Sequence, residues 1–116
     1  MAQTPEGAVK QASKKLLDAA GAFHFMPVSN GMGRMGIPDL ICCLHGRFIA
    51  IEAKAGRGKP TLLQLKALRQ IDEAGGLALV INESNLEYLK ECLQDVGAAR
   101  SNWRVFERPQ TDLEQD

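Results

Sequence analysis

What this chain lacks narrows its function before anything it contains. No stretch reaches the roughly twenty apolar residues needed to cross a bilayer, and the N-terminus lacks the charged-then-apolar pattern of an export signal. A cytosolic protein with no membrane partner is therefore expected. Cysteine is scarce, with Cys42, Cys43 and Cys92 only. Cys42 and Cys43 are adjacent, and neighbours on a strand face opposite ways, so the three fit neither a disulfide framework nor a zinc ligand set and are expected to be buried thiols. There is no internal repeat and no low-complexity segment. Net charge is also absent, since 14 basic residues balance 14 acidic ones, which argues against indiscriminate adhesion to nucleic acid. The 116 residues suffice for one core and leave no room for a second.

Neutral on average, the chain is charged in sections. Between Arg47 and Arg69 lie six basic residues against one acid, Glu52, whereas Glu107 to Asp116 holds four acids against one arginine. A domain over residues 1–108 with a disordered acidic tail at 109–116 is expected. The basic section can neutralise phosphates and set the register of DNA without reading bases. Arg34, Arg57 and Lys59, on glycine-rich loops, are its leading candidates for DNA contact, and Lys10 extends that surface from the first helix.

Periodicity outlines alternating helices and strands. Residues 5–20 carry Val9, Ala12, Leu16, Leu17 and Ala20 on one helical stripe, begin with Thr4-Pro5 and end at Gly21. A strand is expected at 22–28. Met26, Met32 and Met35 lie near the loop that follows, where local packing is expected, and their spacing suggests no cofactor. A helix at 61–74 has Leu62, Leu65, Leu68 and Ile71 on its buried face and stops at Gly75-Gly76. Then come a strand at 77–81, a helix capped by Ser84 that runs to about Val96, and a short strand or packed arm at 102–106. A strand, a helix and a strand in succession place the last strand parallel beside the 48–54 strand, giving sheet order one to four.

The chemistry sits on a hairpin. Leu40-Ile41-Cys42-Cys43-Leu44 and Phe48-Ile49-Ala50-Ile51 are apolar strands joined by a tight His45-Gly46 turn. The start of the first strand lies beside the end of the second, so Asp39 meets Glu52 and Lys54. Alternation puts Glu52 and Lys54 on one side and Ala53 on the other. Two carboxylates held close repel each other unless a cation relieves them, and oxygen ligands favour hard ions such as Mg²⁺ or Mn²⁺. Such a site, with a lysine to offset developing charge, hydrolyses phosphodiesters. Taken singly, each residue has an ordinary reading: Pro38-Asp39 as a turn, Glu52 and Lys54 as a solvated charge pair.

Gly36-Ile37-Pro38-Asp39-Leu40 followed by Ile49-Ala50-Ile51-Glu52-Ala53-Lys54 resembles the PD-(D/E)XK nuclease superfamily, most closely its VRR-NUC branch of small virus-type nucleases, with archaeal Holliday-junction resolvases next. The resemblance spans residues 6–81. It implies an α/β fold with a restriction-endonuclease-like αβββαβ core, a four-stranded mixed sheet flanked by helices, and divalent-metal-dependent cleavage of DNA leaving a 5′-phosphate. It makes Asp39 and Glu52 metal ligands with the Ala53 carbonyl, Lys54 the catalytic lysine, Glu6 an acidic helper on the first helix and Gln64 a partner of the lysine. The tyrosine some branches carry after that glutamine is absent, since Leu68 stands there. Ser29 and Asn30 fall in a loop that meets the DNA backbone in resolvase-like relatives. A homodimer acting on branched DNA follows from the same likeness and from the symmetry of a four-way junction, and the small stand-alone format suggests a viral or phage setting. Glu6 equally suits a helix start, and Gln64, three residues after Thr61, equally suits a capping box. Two other readings stay open: a DNA-binding module that keeps the fold without turnover, and a site-specific restriction enzyme, for which the chain offers little room for base readout.

Overall fold

A computed structural model describes residues 3–28 and 33–107. It contains, in order, α1 (Pro5–Ala20), β1 (Phe23–Phe25), β2 (Leu40–Leu44), β3 (Arg47–Ala53), α2 (Leu62–Glu73), β4 (Leu77–Ile81), α3 (Leu86–Gln94) and a short 3-10 turn at Trp103–Phe106. The sheet order is β1-β2-β3-β4, antiparallel through β3 and parallel between β3 and β4. This is the mixed α/β sheet flanked by helices that the sequence predicts. No helix of the described residues is long and apolar enough to cross a membrane.

Two layers of helix cover the sheet unequally. Leu40, Cys42 and Leu44 of β2, Ile49, Ile51 and Ala53 of β3 and the odd-numbered residues of β4 pack under α1 and α3, through Val9, Leu17, Leu89 and Leu93. The opposite face receives α2 and the 3-10 turn, with Ala78 and Val80 of β4 packed against Leu65, Leu68 and Trp103. All five residues of β4 are therefore buried. The outer edge of β4 is closed by side chains instead of a fifth strand. The Asn102 carboxamide accepts from Val80 N–H at 2.7 Å and donates to Val80 C=O at 3.0 Å, while Ser101 Oγ accepts from Ala78 N–H at 2.8 Å. That arrangement satisfies a backbone edge that would otherwise invite strand pairing.

Several expectations are corrected here. β1 is three residues rather than seven, because Pro27 follows closely and a proline has no N–H for the ladder. On α1, Ser13 takes a buried place in the apolar stripe. Leu62 of α2 is 63% exposed, since it occupies the first turn before the helix reaches the sheet. Ser84 does not cap α3; Asn85 stands at that position, and Ser84 bonds to Asn82. The 102–106 segment is a 3-10 turn that buries only Trp103, whose indole N–H donates to Asp72 at 2.8 Å. Cys42 and Cys92 are buried, and burial pushes the Cys42 thiol up to about 12; Cys43 is exposed. Met26 and Met35 are exposed rather than packed. Met32 and the acidic tail lie outside the described residues.

Candidate active site

The two-residue turn sets the register that builds the site. His45 and Gly46 adopt φ of 51° and 82°, the doubly left-handed combination whose twist matches a hairpin. Pairing then counts outward from Leu44↔Arg47 to Leu40↔Ile51, and one further step sets Asp39 opposite Glu52. Asp39 Oδ2 accepts from the Ala53 N–H at 2.8 Å, which pins its carboxylate to the end of β3. The ladder to β4 continues one residue beyond β3, with Lys54 N–H donating to Ile81 C=O at 2.9 Å, so the lysine leaves from a fixed backbone.

The approach to Asp39 is equally constrained. Gly36 has φ of 80°, and a Cβ there would lie 2.5 Å from the Leu63 carbonyl oxygen at the start of α2. The left-handed conformation alone costs a side chain about 1–2 kcal/mol, and the collision forces either the Asp39 loop or α2 to move. Gly36→Ala is therefore expected to lose at least about 3 kcal/mol in denaturant unfolding, against about 1–2 for Gly46→Ala, whose added Cβ meets open space. Equal losses at the two positions would show that the Gly36 contact is not restrictive.

Glu52 is the unusual member of the cluster. It is 1% exposed, on the face covered by α2, and its Oε1 has no hydrogen-bond partner. Its Oε2 lies 3.4 Å from Lys54 Nζ. Burial, and next the charge of Asp39, push its carboxyl from an ordinary 4.5 up to about 7; the Lys54 ammonium opposes that rise and Glu6 adds to it. Glu6 arrives from the first turn of α1, where Thr4 Oγ accepts from Gly7 N–H and Pro5 opens the helix. Ligand atoms of Glu6, Asp39 and Glu52 all lie within 4.8 Å of one another. Three convergent carboxylates with an orphaned buried oxygen, and no sulfur or imidazole among them, fit a hard divalent cation.

No protein-family model matches this chain, and no curated protein matches it. A solved structure described as "VRR_NUC domain" superposes with a TM-score of 0.63 at 22% sequence identity, over 79% of this chain and 97% of that one. The chain has the fold of a VRR_NUC domain. In that fold the acidic cluster occupies the open end of the β2–β3 hairpin, where β4 and the first turn of α1 also converge.

The other sequence-derived residues distribute unevenly around this cluster. Gln64 closes the capping box of α2: its Oε1 accepts from Thr61 N–H at 2.9 Å while Thr61 Oγ accepts from Gln64 N–H at 3.2 Å. It also lines a cavity of about 440 Å³ together with Lys10, Arg34 and Asp39. Lys10 is tied to the site rather than displayed on the surface, with Nζ 3.6 Å from Asp39 Oδ1. The guanidinium of Arg34 donates to the Gln70 side chain. Arg57 and Lys59 are exposed on the loop after Lys54. Ser29 and Asn30 lie outside the described residues. For Ala53 the observed contribution is its amide, donated to Asp39.

Two residues have roles at the site that the sequence reading did not assign. Lys10 was read as a surface contact, yet it stands four residues after Glu6, and that helical spacing puts both on the face turned to Asp39. Glu83 carried no such signal: its Oε1 accepts from Gly56 N–H at 2.6 Å and, with the Gly58 N–H bond to Ala55 C=O, ties down the loop bearing Arg57 and Lys59.

Proposed function

We propose that this protein is a divalent-metal-dependent, structure-selective DNA endonuclease that hydrolyses phosphodiester bonds in branched DNA in the manner of a junction resolvase. The observation that carries this reading is the Glu6–Asp39–Glu52 cluster with Lys54 beside it, at the end of a hairpin in a VRR_NUC-like fold. Glu6, Asp39 and Glu52 would hold Mg²⁺ or Mn²⁺, with the Ala53 carbonyl as a further ligand. Bound there, the ion would polarise the scissile phosphate and make an attacking water more acidic.

The chain's own residues supply the rest. The Lys54 ammonium, part-buried and anchored through its own backbone to β4, stands where it can offset negative charge growing on the phosphoryl oxygens. Held by a hydrogen bond from Ala53, Asp39 keeps its second oxygen toward Lys10 and the cavity. Arg57 and Lys59, exposed on the adjoining loop, are placed to meet the DNA backbone, and Arg34 borders the same cavity as Asp39. Two copies related by a two-fold axis would set two such sites against a four-way junction, whose symmetry they match.

Incubation with labelled four-way junction, flap and linear duplex tests this reading. With Mg²⁺ or Mn²⁺ the junction is cut in paired fashion and linear duplex is spared; with EDTA nothing is cut. Binding of all three substrates without cleavage under any metal condition would leave a DNA-binding module instead, and cutting of linear DNA at one recurring sequence would leave a restriction enzyme.

A further inference from the structure

The sheet face that holds the carboxylates runs on into rows of exposed aromatics. Alternation along β3 sets Phe48, Ala50 and Glu52 on one side, and the register across β2 sets Asp39, Ile41 and Cys43 with them. Phe23 pairs with Cys43 and Phe25 with Ile41, so both phenylalanines of β1 share that side. Phe48 stands four residues from Glu52, about 13 Å along the strand. Phe23 is 68% exposed, Phe25 49% and Phe48 45%, and Cys43 is exposed between Phe23 and Phe48. The rings of Phe23 and Phe25 lie 6.1 Å apart, tilted by 55° rather than stacked. Between these rows and α2 runs a groove of about 410 Å³ walled by Ile37, Ile41, Phe48 and Ile71. It is continuous with the cavity at Asp39, because Arg34, Ile37 and Pro38 line both.

We propose that the groove and its phenylalanine rows bind unpaired bases of the DNA strand whose phosphate is held at the carboxylates. The inference rests on the nuclease reading for the scissile end of that strand, and it adds the class of DNA that the neighbouring face selects. Three observations favour a single strand as occupant. First, cavity and groove form one path on one sheet face. The distance of about 13 Å from Glu52 to Phe48 spans about four stacked nucleotides at roughly 3.4 Å each, so a strand seated at the carboxylates reaches the rings directly. Second, Arg34 stands where cavity and groove meet, and it keeps its positive charge while bonded to the neutral Gln70 side chain. Lys66, exposed one helical turn before Gln70, adds a cation along the same helix, and among the described residues no carboxylate lines the groove. A phosphate backbone passing here meets positive charge. Third, the rows present Phe23, Phe25, Ile41, Cys43 and Phe48, with no amide, hydroxyl or charge to read base edges. Rings of this kind stack on base faces of any sequence, and those faces are open in an unpaired strand and closed within a duplex. The face therefore suits bases splayed out beside the branch, a few nucleotides from the cut.

Binding measured in EDTA, where no metal-dependent cleavage occurs, tests the face apart from the chemistry. Phe25→Leu/Phe48→Leu keeps the surface apolar and removes two rings. It is expected to weaken binding of a labelled oligothymidylate of about 12 nucleotides at least about tenfold, to leave binding of a duplex of that length within about twofold, and to leave the salt dependence unchanged. Phe25→Trp/Phe48→Trp restores strand binding, whereas Arg34→Gln lowers the salt slope by about 0.7. If the leucine variant loses its circular dichroism spectrum, the unaltered protein carries the test through Cys43, the one exposed thiol. Oligothymidylate at about ten times its dissociation constant should slow labelling of Cys43 by a thiol reagent about tenfold. Leucine variants that bind both DNAs as before, an equal loss for strand and duplex, or Cys43 labelling unmoved by the oligonucleotide would overturn the proposal. So would labelling that slows as protein concentration rises without DNA, the mark of a face covered by protein. Junction cleavage by a protein that fails these tests would remove the strand site and keep the nuclease; strand binding of this kind without cleavage in any metal would do the reverse.

Discussion

A Lys54→Ala protein is expected to bind branched DNA within about threefold of the unaltered affinity and to cut it at least 10²–10³-fold more slowly, the usual loss when one preorganised charge at a developing oxyanion is removed. The separation follows from where the lysine sits. Its ammonium is part-buried and turned toward Glu52, not presented to solvent as Arg57 and Lys59 are, so it contributes little to the diffuse attraction that dominates affinity. Removing Arg57 and Lys59 together has the converse signature: weaker binding to every DNA shape and a salt dependence reduced by about one unit of slope per residue, with the cleavage step of bound substrate nearly unchanged. Single-turnover cleavage beside filter binding at two salt concentrations separates the two. If Lys54→Ala lost binding and cleavage in parallel, the lysine would be a substrate contact and not part of the chemistry.

The second large effect is a dependence of stability on pH that is largely offset when metal is added. Folding raises the Glu52 carboxyl from about 4.5 to about 7, so the folded chain holds a proton that the unfolded chain releases. The sign follows directly: the contribution of this group is fully favourable below about 4.5 and is lost as pH rises through about 7. Its size is at most roughly 3 kcal/mol. In EDTA, Glu52→Gln should therefore remove a fall in stability between pH 5 and 8, and at pH 8 it should be the more stable protein. Mg²⁺ or Mn²⁺ acts at the other end. A cation at a hundredfold excess over its dissociation constant stabilises by about 2.7 kcal/mol, which in a domain of this size raises the melting temperature by about 10 °C. That rise is expected at pH 8, little of it at pH 5 where Glu52 is protonated, and none in Glu52→Gln. Thermal unfolding at the two pH values, with and without metal, reads the effect with no DNA present. A difference between the two proteins that is flat in pH, together with no shift on adding either ion, would remove the case for a shared cation pocket.

Both expectations draw on features that differ in how openly the sequence declares them. The hairpin was legible because local chemistry specifies it. His45-Gly46 accepts the left-handed turn, apolar residues flank it, and counting outward from the turn sets Asp39 opposite Glu52. The capping box of Thr61 and Gln64 was legible for the same reason, being a bond between residues three apart. The full burial of Glu52 was not. A strand ending in Glu-Ala-Lys reads as a polar tip emerging at a sheet edge, yet α2 crosses over that end and leaves one carboxylate oxygen without a partner. The bare phenylalanine face was equally hidden, because Phe23, Phe25 and Phe48 have the same alternation whether a helix covers them or not.

The amino-acid order alone determined the elements, the turn and hence which hairpin residues stand opposite each other, since these depend on backbone preferences and a period of two that act within a few residues. Tertiary structure decided the rest: that Glu6 closes the carboxylate cluster from 33 residues before Asp39, that Lys10 pairs with Asp39, that Glu83 ties the loop at Gly56, and that α2 shields only the β3–β4 half of its face. Those contacts join groups far apart in the chain. Their geometry is set by how whole helices seat on the sheet, a quantity that sums many weak packing contacts and that no short segment encodes.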